Sequence, residues 1–93
     1  MERATIFVRG RVQGVGFRWW ARARALELGL AGFARNMADG RVEVCAQGDR
    51  AQVEALERLI REQPSATGRP GHVQSAVTQW GEPRAELSGF EER

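Results

Sequence analysis

The segment Gly10-Arg11-Val12-Gln13-Gly14-Val15-Gly16-Phe17-Arg18 has the residue types and spacing of an anion-binding loop. Its three glycines let main-chain N–H groups turn toward one point with no Cβ in the way. The segment runs into the start of a predicted helix, where unpaired N–H groups and the helix dipole favour negative charge. Arg18 falls in the first turn of that helix. From there a planar, permanently charged fork can reach back over the same point. Together these parts suit a tetrahedral, doubly charged phosphoryl group. Glycine spacing by itself marks no more than a tight crossover turn with Arg18 as a surface cation, since such patterns are common. The segment is not a Walker loop, which needs Gly-Lys followed by Ser or Thr. Nor is it a dinucleotide fingerprint: Asp39 stands about where the ribose-reading acid belongs, but it occupies a hairpin turn.

The other reactive side chains form no constellation. His72 is the only histidine and lies in a Pro/Gly loop, with no serine or cysteine nucleophile paired to it. Cys45 alternates onto the polar face of a predicted strand and reads as an incidental free thiol. A single cysteine can form no internal disulfide and cannot supply a structural zinc site. Glu54, Glu57, Glu62, Glu91 and Glu92 read as solvated faces rather than a metal cage or an acid/base pair.

The chain that must position the loop has 93 residues, room for one domain spanning 1–93. Its composition, 42% hydrophobic and 28% charged, is that of a globular protein. All fourteen basic residues are arginine, yet the net charge is only +2. Acids and arginines alternate along most of the chain, so neither a nucleic-acid nor a membrane partner is expected. No signal-peptide core and no membrane-length run is present, and a cytoplasmic monomer is the expectation.

Periodicity predicts a strand over Ala4–Val8 and a helix over Phe17–Leu28, with Gly29 at its C-terminal end. A second strand over Leu30–Met37 is joined by Asp39-Gly40, the strongest hairpin signal, to a third over Arg41–Gln47. In that third strand Val42, Val44 and Ala46 are expected inside, and Arg41, Glu43, Cys45 and Gln47 outside. Asp49 with Gln52 resembles a capping box at the start of a second helix, whose stripe is Val53, Leu56, Leu59 and Ile60. Pro64 stops it. A fourth strand over Val73–Trp80 places Val73, Ser75, Val77 and Gln79 on one face, and Arg84–Phe90 supplies a possible short fifth. The order βαββαβ implies an α+β, ferredoxin-like split βαβ sandwich: an antiparallel sheet of four to five strands with two helices on one face. That fold hosts many functions, so function has to come from a site.

The run Gly10 to Arg18 is followed by Leu28-Gly29-Leu30, Gly32-Phe33-Ala34-Arg35-Asn36, Asp39-Gly40-Arg41-Val42-Glu43-Val44 and Gln47-Gly48. In order and spacing this resembles the acylphosphatase family, strongly over the first half and by element pattern over the second. Phe33-Ala34 departs from the family's usual Trp-Val, and Gln63–Gly71 lacks its compact Gly-Pro turn. The end at Arg93 also lacks an apolar or aromatic finish. The resemblance implies hydrolysis of a carboxyl–phosphate anhydride in a small-molecule acyl phosphate. It implies that Arg18 and the backbone amides of Gln13, Gly14, Val15, Gly16 and Phe17 hold the phosphate, and that Asn36 orients the attacking water. No metal or other cofactor is implied. Taken alone, Asn36 so near an Asp-Gly turn reads as turn chemistry. Trp20 is expected in the core, and Trp19 at the pocket rim or on the surface.

Three other readings compete. A non-catalytic phosphate-binding regulatory module on the same fold would more readily have lost either Arg18 or Asn36. An RNA-binding domain would carry aromatics on its central strands, where Val42-Glu43-Val44-Cys45 stands instead. A fragment of a hydrogenase-maturation carbamoyltransferase, which resembles this family at its N-terminus, would continue into zinc-finger cysteines. The free-standing enzyme is therefore the expectation.

Overall fold

A computed structural model describes all residues 1–93. The elements are β1 (Glu2–Arg11), α1 (Phe17–Glu27), β2 (Ala31–Asn36), β3 (Val42–Gly48), α2 (Arg50–Arg61), β4 (His72–Gly81) and β5 (Phe90–Glu92). They form one sheet in the order β4-β1-β3-β2-β5. Both helices lie on one side of it, α1 against β2, β3 and β5, and α2 against β1, β3 and β4. Ile6, Val8, Phe17, Trp20, Val42, Val44, Val53, Leu56 and Ile60 fill the space between, all fully buried or nearly so. Neither helix is long and apolar enough to cross a membrane.

One part of the expected sheet needs correction. The four main strands are antiparallel, but β5 pairs parallel to β2, making the five-stranded sheet mixed. The chain leaves β4 at one edge, crosses the end of the sheet and joins β2 at the opposite edge. The buried Gln47 side chain steers this crossing. Its Nε2 donates to Arg84 O at 3.0 Å, and its Oε1 accepts from Arg84 N at 2.7 Å.

The outer face of β3 is not uniformly polar either. Gln47 and Cys45 are both buried rather than exposed. Cys45 sits in a row across three strands, between its partners Thr5 and Phe33. Arg3 donates to the Thr5 hydroxyl at 3.2 Å, and the Arg93 guanidinium stacks 4.1 Å from the Phe33 ring centre. The alternation expected along β4 also breaks. Arg9 pairs with Ser75 and Gly10 with Val73, which leaves Gln74 as an extra residue in a β-bulge. Val73 consequently turns into the core while Ser75, Val77 and Gln79 stay outside. Gly10 is required there, because a Cβ would overlap the His72 carbonyl oxygen.

The helix ends follow separate rules. At the end of α1, Leu30 N donates to Ala25 O and Gly29 N to Leu26 O, with Gly29 at φ +72°, a Schellman closure. Asp49 precedes α2 as expected, but its carboxylate makes no capping bond; only its main-chain oxygen receives Gln52 N and Val53 N. The far end of α2 is closed by Arg69. One Nη1 donates to Leu59 O, Ile60 O and Glu62 O at 3.1, 2.7 and 2.8 Å. Burial pulls the Arg69 pKa down, with Glu62 partly opposing this. Arg69→Met keeps the stem but leaves those carbonyls without their charged donor. Urea unfolding is expected to show a loss of about 1–3 kcal/mol. A midpoint unchanged from wild type would remove the capping role.

Candidate active site

Between β1 and α1 the main chain crosses the end of the sheet with its N–H groups uncommitted. Gln13, Gly14, Val15 and Gly16 donate their N–H to no acceptor in the protein. Phe17 opens α1, where the first N–H groups have no partner within the helix. Gly14 and Gly16 sit at φ +70° and +90° on either side of Val15, a left-handed alternation that lets successive N–H groups face one concavity. Gly16 is itself the residue before the helix, so that concavity is continuous with the helix N-terminus. The α2–β4 loop backs this turn. Trp20 Nε1 donates to the Thr67 hydroxyl at 3.1 Å, and Gly71 lies so close to Arg11 O that a Cβ would overlap it.

Arg18 is in the first turn of α1, and its Nη1 donates to Arg93 O at 2.8 Å. Arg93 N in turn donates to Ala34 O on β2 at 2.7 Å. One turn further along α1, Arg22 donates to Phe90 O at 3.0 Å. The guanidinium of Arg18 is thus held beside the last residues of β2 through the C-terminal strand. Composition and spacing give no sign of this contact, because an oxygen of the main chain carries no residue signature.

Asn36 ends β2, paired with Val42 of β3. The turn between them is closed by Met37 N to Arg41 O at 2.8 Å and Gly40 N to Met37 O at 3.2 Å. The Asp39 carboxylate accepts from Arg41 N at 3.1 Å and from Arg41 Nε at 2.8 Å. The main-chain bond from Arg41 leads in holding the Asp39 carboxyl below its ordinary range. Turn formation therefore rests on Asp39, Gly40 and Arg41. Asn36 is free of that duty: its Oδ1 is shielded from solvent and accepts no hydrogen bond. The side chain of Gln13 reaches this hairpin, donating to Met37 O and Arg41 O at 2.8 and 2.9 Å. The amide loop is thus tied to the turn that follows Asn36, and Arg18, through Arg93, to Ala34 of the same strand.

The remaining candidates take no part in these contacts. His72 is exposed at the start of β4, opposite Arg11. Cys45 is buried within the sheet. Glu54, Glu57 and Glu91 pair with Arg50, Arg61 and Arg93. Trp20 is 2% exposed and Trp19 63%, so the first is core and the second surface. A cavity of about 240 Å³ beside the hairpin is lined by Arg9, Gly10, Asp39, Gly40, Arg41 and Gln74, and includes neither Arg18 nor Asn36. The candidate site is instead the run of uncommitted amides at Gln13–Gly16 beside Arg18.

Comparison with known proteins follows the same lines. Residues 4–92 match the family model described as Acylphosphatase. A Corynebacterium glutamicum protein named Acylphosphatase is 56% identical over 91 residues, 98% of this chain and 96% of the relative. The crystal structure of acylphosphatase from Bacillus subtilis superposes with a TM-score of 0.84 at 28% identity, covering 100% of this chain and 99% of that one. Full-length HypF, in its phosphate- and nucleotide-bound form, matches at a TM-score of 0.83 and 26% identity, with 99% of this chain covering 12% of HypF. Over nearly its whole length, this chain belongs to the acylphosphatase family.

Proposed function

We infer that this protein is an acylphosphatase, a hydrolase that converts an acyl phosphate and water to a carboxylate and inorganic phosphate. The observation that carries the site assignment is the run of uncommitted N–H groups at Gln13–Gly16, leading into a helix start that bears Arg18. Family membership supplies the reaction class.

The phosphoryl oxygens occupy the amide cradle formed by Gln13, Gly14, Val15, Gly16 and Phe17. Arg18 supplies the balancing charge and a directional donor pair. Asn36, whose Oδ1 has no partner within the protein, turns that oxygen out of its shielded position to accept a proton of the attacking water. The water oxygen forms the new bond to phosphorus as the bond to the acyl oxygen breaks, and that electron pair leaves on the carboxylate. A carboxylic acid has a pKa near 4, so the leaving group departs unprotonated at neutral pH and needs no general acid. The water's proton passes to a phosphate oxygen, which balances the step. Catalysis then consists of positioning and charge stabilisation, the terms that dominate phosphoryl transfer.

The same reading places the enzyme in the cytoplasm as a monomer acting on a small-molecule acyl phosphate. The lone, buried Cys45 is in keeping with a reducing compartment. The purified protein is expected to hydrolyse benzoyl phosphate or acetyl phosphate in the presence of a chelator. A folded protein that binds inorganic phosphate but releases none from either substrate would instead be a non-catalytic phosphate-binding module.

A further inference from the structure

The side chain of Gln13 has a task distinct from that of its main-chain amide. Both N–H bonds of its carboxamide are used, one on Met37 O and one on Arg41 O. Those two carbonyls form the base of the β2–β3 turn, and Met37 directly follows Asn36. No other hydrogen bond joins residues 12–16 to residues 36–41. The turn does not depend on this clamp to close, since Met37, Asp39, Gly40 and Arg41 already bond among themselves. The amide loop does not depend on it either, being anchored by the β1 bulge at one end and α1 at the other. The β1–β3 ladder, which ends at Val8 and Val42, brings the two near each other, and the clamp is the one direct hydrogen-bonded tie that fixes their spacing beyond it.

We propose that Gln13 is a positioning residue whose side chain sets the distance and angle between the phosphate cradle and Asn36. It thereby sets the line along which water meets phosphorus. The proposal rests on the functional reading above. Hydrolysis requires the water oxygen to lie in line with the departing acyl oxygen, and a displacement of about 1 Å can cost about 10²-fold in rate. Two short bonds from one half-buried amide are a stiff way to hold that geometry.

Gln13→Ala and Gln13→Glu, made in the full chain, test this. The readouts are kcat and KM for benzoyl phosphate, and the inhibition constant of inorganic phosphate, from about pH 5 to pH 8. Gln13→Ala is expected to lower kcat by about 30-fold or more while phosphate inhibition stays within about threefold. In Gln13→Glu a carboxylate faces two carbonyl oxygens, which raises its pKa above the ordinary value of about 4.3. Once protonated, the same group can donate one of the lost bonds. The ratio of its kcat to that of wild type should therefore rise as the pH falls.

A merely structural role would lower kcat and phosphate affinity together and leave that ratio flat; either result overturns the proposal, as does an unchanged kcat. The glutamate variant keeps the test open should the alanine variant fail to fold. The Asn36 side-chain amide signals of the phosphate-bound protein report the spacing without turnover. They should shift in both variants at neutral pH, and signals matching wild type would overturn the proposal on their own. Wild type that binds phosphate and hydrolyses nothing overturns the functional reading first, and this proposal with it.

Discussion

Arg18→Gln is expected to lower kcat/KM for benzoyl phosphate by about 10³-fold and to weaken inhibition by inorganic phosphate markedly. Removing one preorganised donor from a developing negative charge costs about 10²–10³-fold, and Arg18 supplies charge as well as direction. Arg18→Lys should recover only part of the loss. An ammonium is a compact point charge, and a lysine drawn toward the phosphate gives up the contact with Arg93 O that a guanidinium can keep through its other nitrogens. Stability should barely change in either variant, because the Arg18–Arg93 bond is exposed and worth about 1 kcal/mol at most. That separates a binding defect from a folding defect: steady-state kinetics shift while the urea midpoint does not. Activity of Arg18→Gln within about tenfold of wild type would sink the assignment.

The loop and Arg18 were legible because their chemistry is local. Glycine positions, a strand before and a helix after are all written within nine residues. The β2–β3 hairpin was legible for the same reason, since Asp39-Gly40 specifies its own turn. The failures share the opposite cause. Gln47 reads as an outward polar residue until Arg84, 37 residues later, brings main-chain groups to its amide. The phase of β4 depends on Gln74 being skipped, which is decided by pairing with β1 and not by β4 itself. The fifth strand has three residues and one apolar anchor, Phe90, too little pattern to reveal that it runs parallel to β2.

The arginines show the same divide between local and distant information. From composition they read mostly as solvated surface. In the fold, Arg3, Arg18, Arg22, Arg61 and Arg69 each donate to main-chain carbonyls, at Glu82, Arg93, Phe90, Ala76 and the end of α2. A forked donor can serve a carbonyl and keep a nitrogen free, as Arg61 does by also reaching the Thr78 hydroxyl. These five arginines thus hold main-chain oxygens, while Arg24, Arg35, Arg41, Arg50 and Arg93 pair with carboxylates. Arg18 differs in standing in the first turn of α1, next to the uncommitted amides.

Asn36→Ala should separate activity from stability in a way that Arg18 variants cannot. The Oδ1 of Asn36 is cut off from solvent and accepts no bond, a state that costs about 1–3 kcal/mol for a buried polar atom. Removing it is expected to leave the urea midpoint unchanged or to raise it, the mark of a group retained for function rather than for folding. Phosphate inhibition should stay within about threefold, since the amides and Arg18 are untouched. Turnover should fall by about 10²–10³-fold, because the side chain that aims the water at phosphorus is gone. Asn36→Asp, which keeps an acceptor but adds a negative charge beside the phosphoryl group, should instead raise KM, and do so less at high ionic strength. A destabilised Asn36→Ala protein, or one whose phosphate binding falls in step with turnover, would make Asn36 a structural residue of the hairpin. The water would then have to be held by some other group.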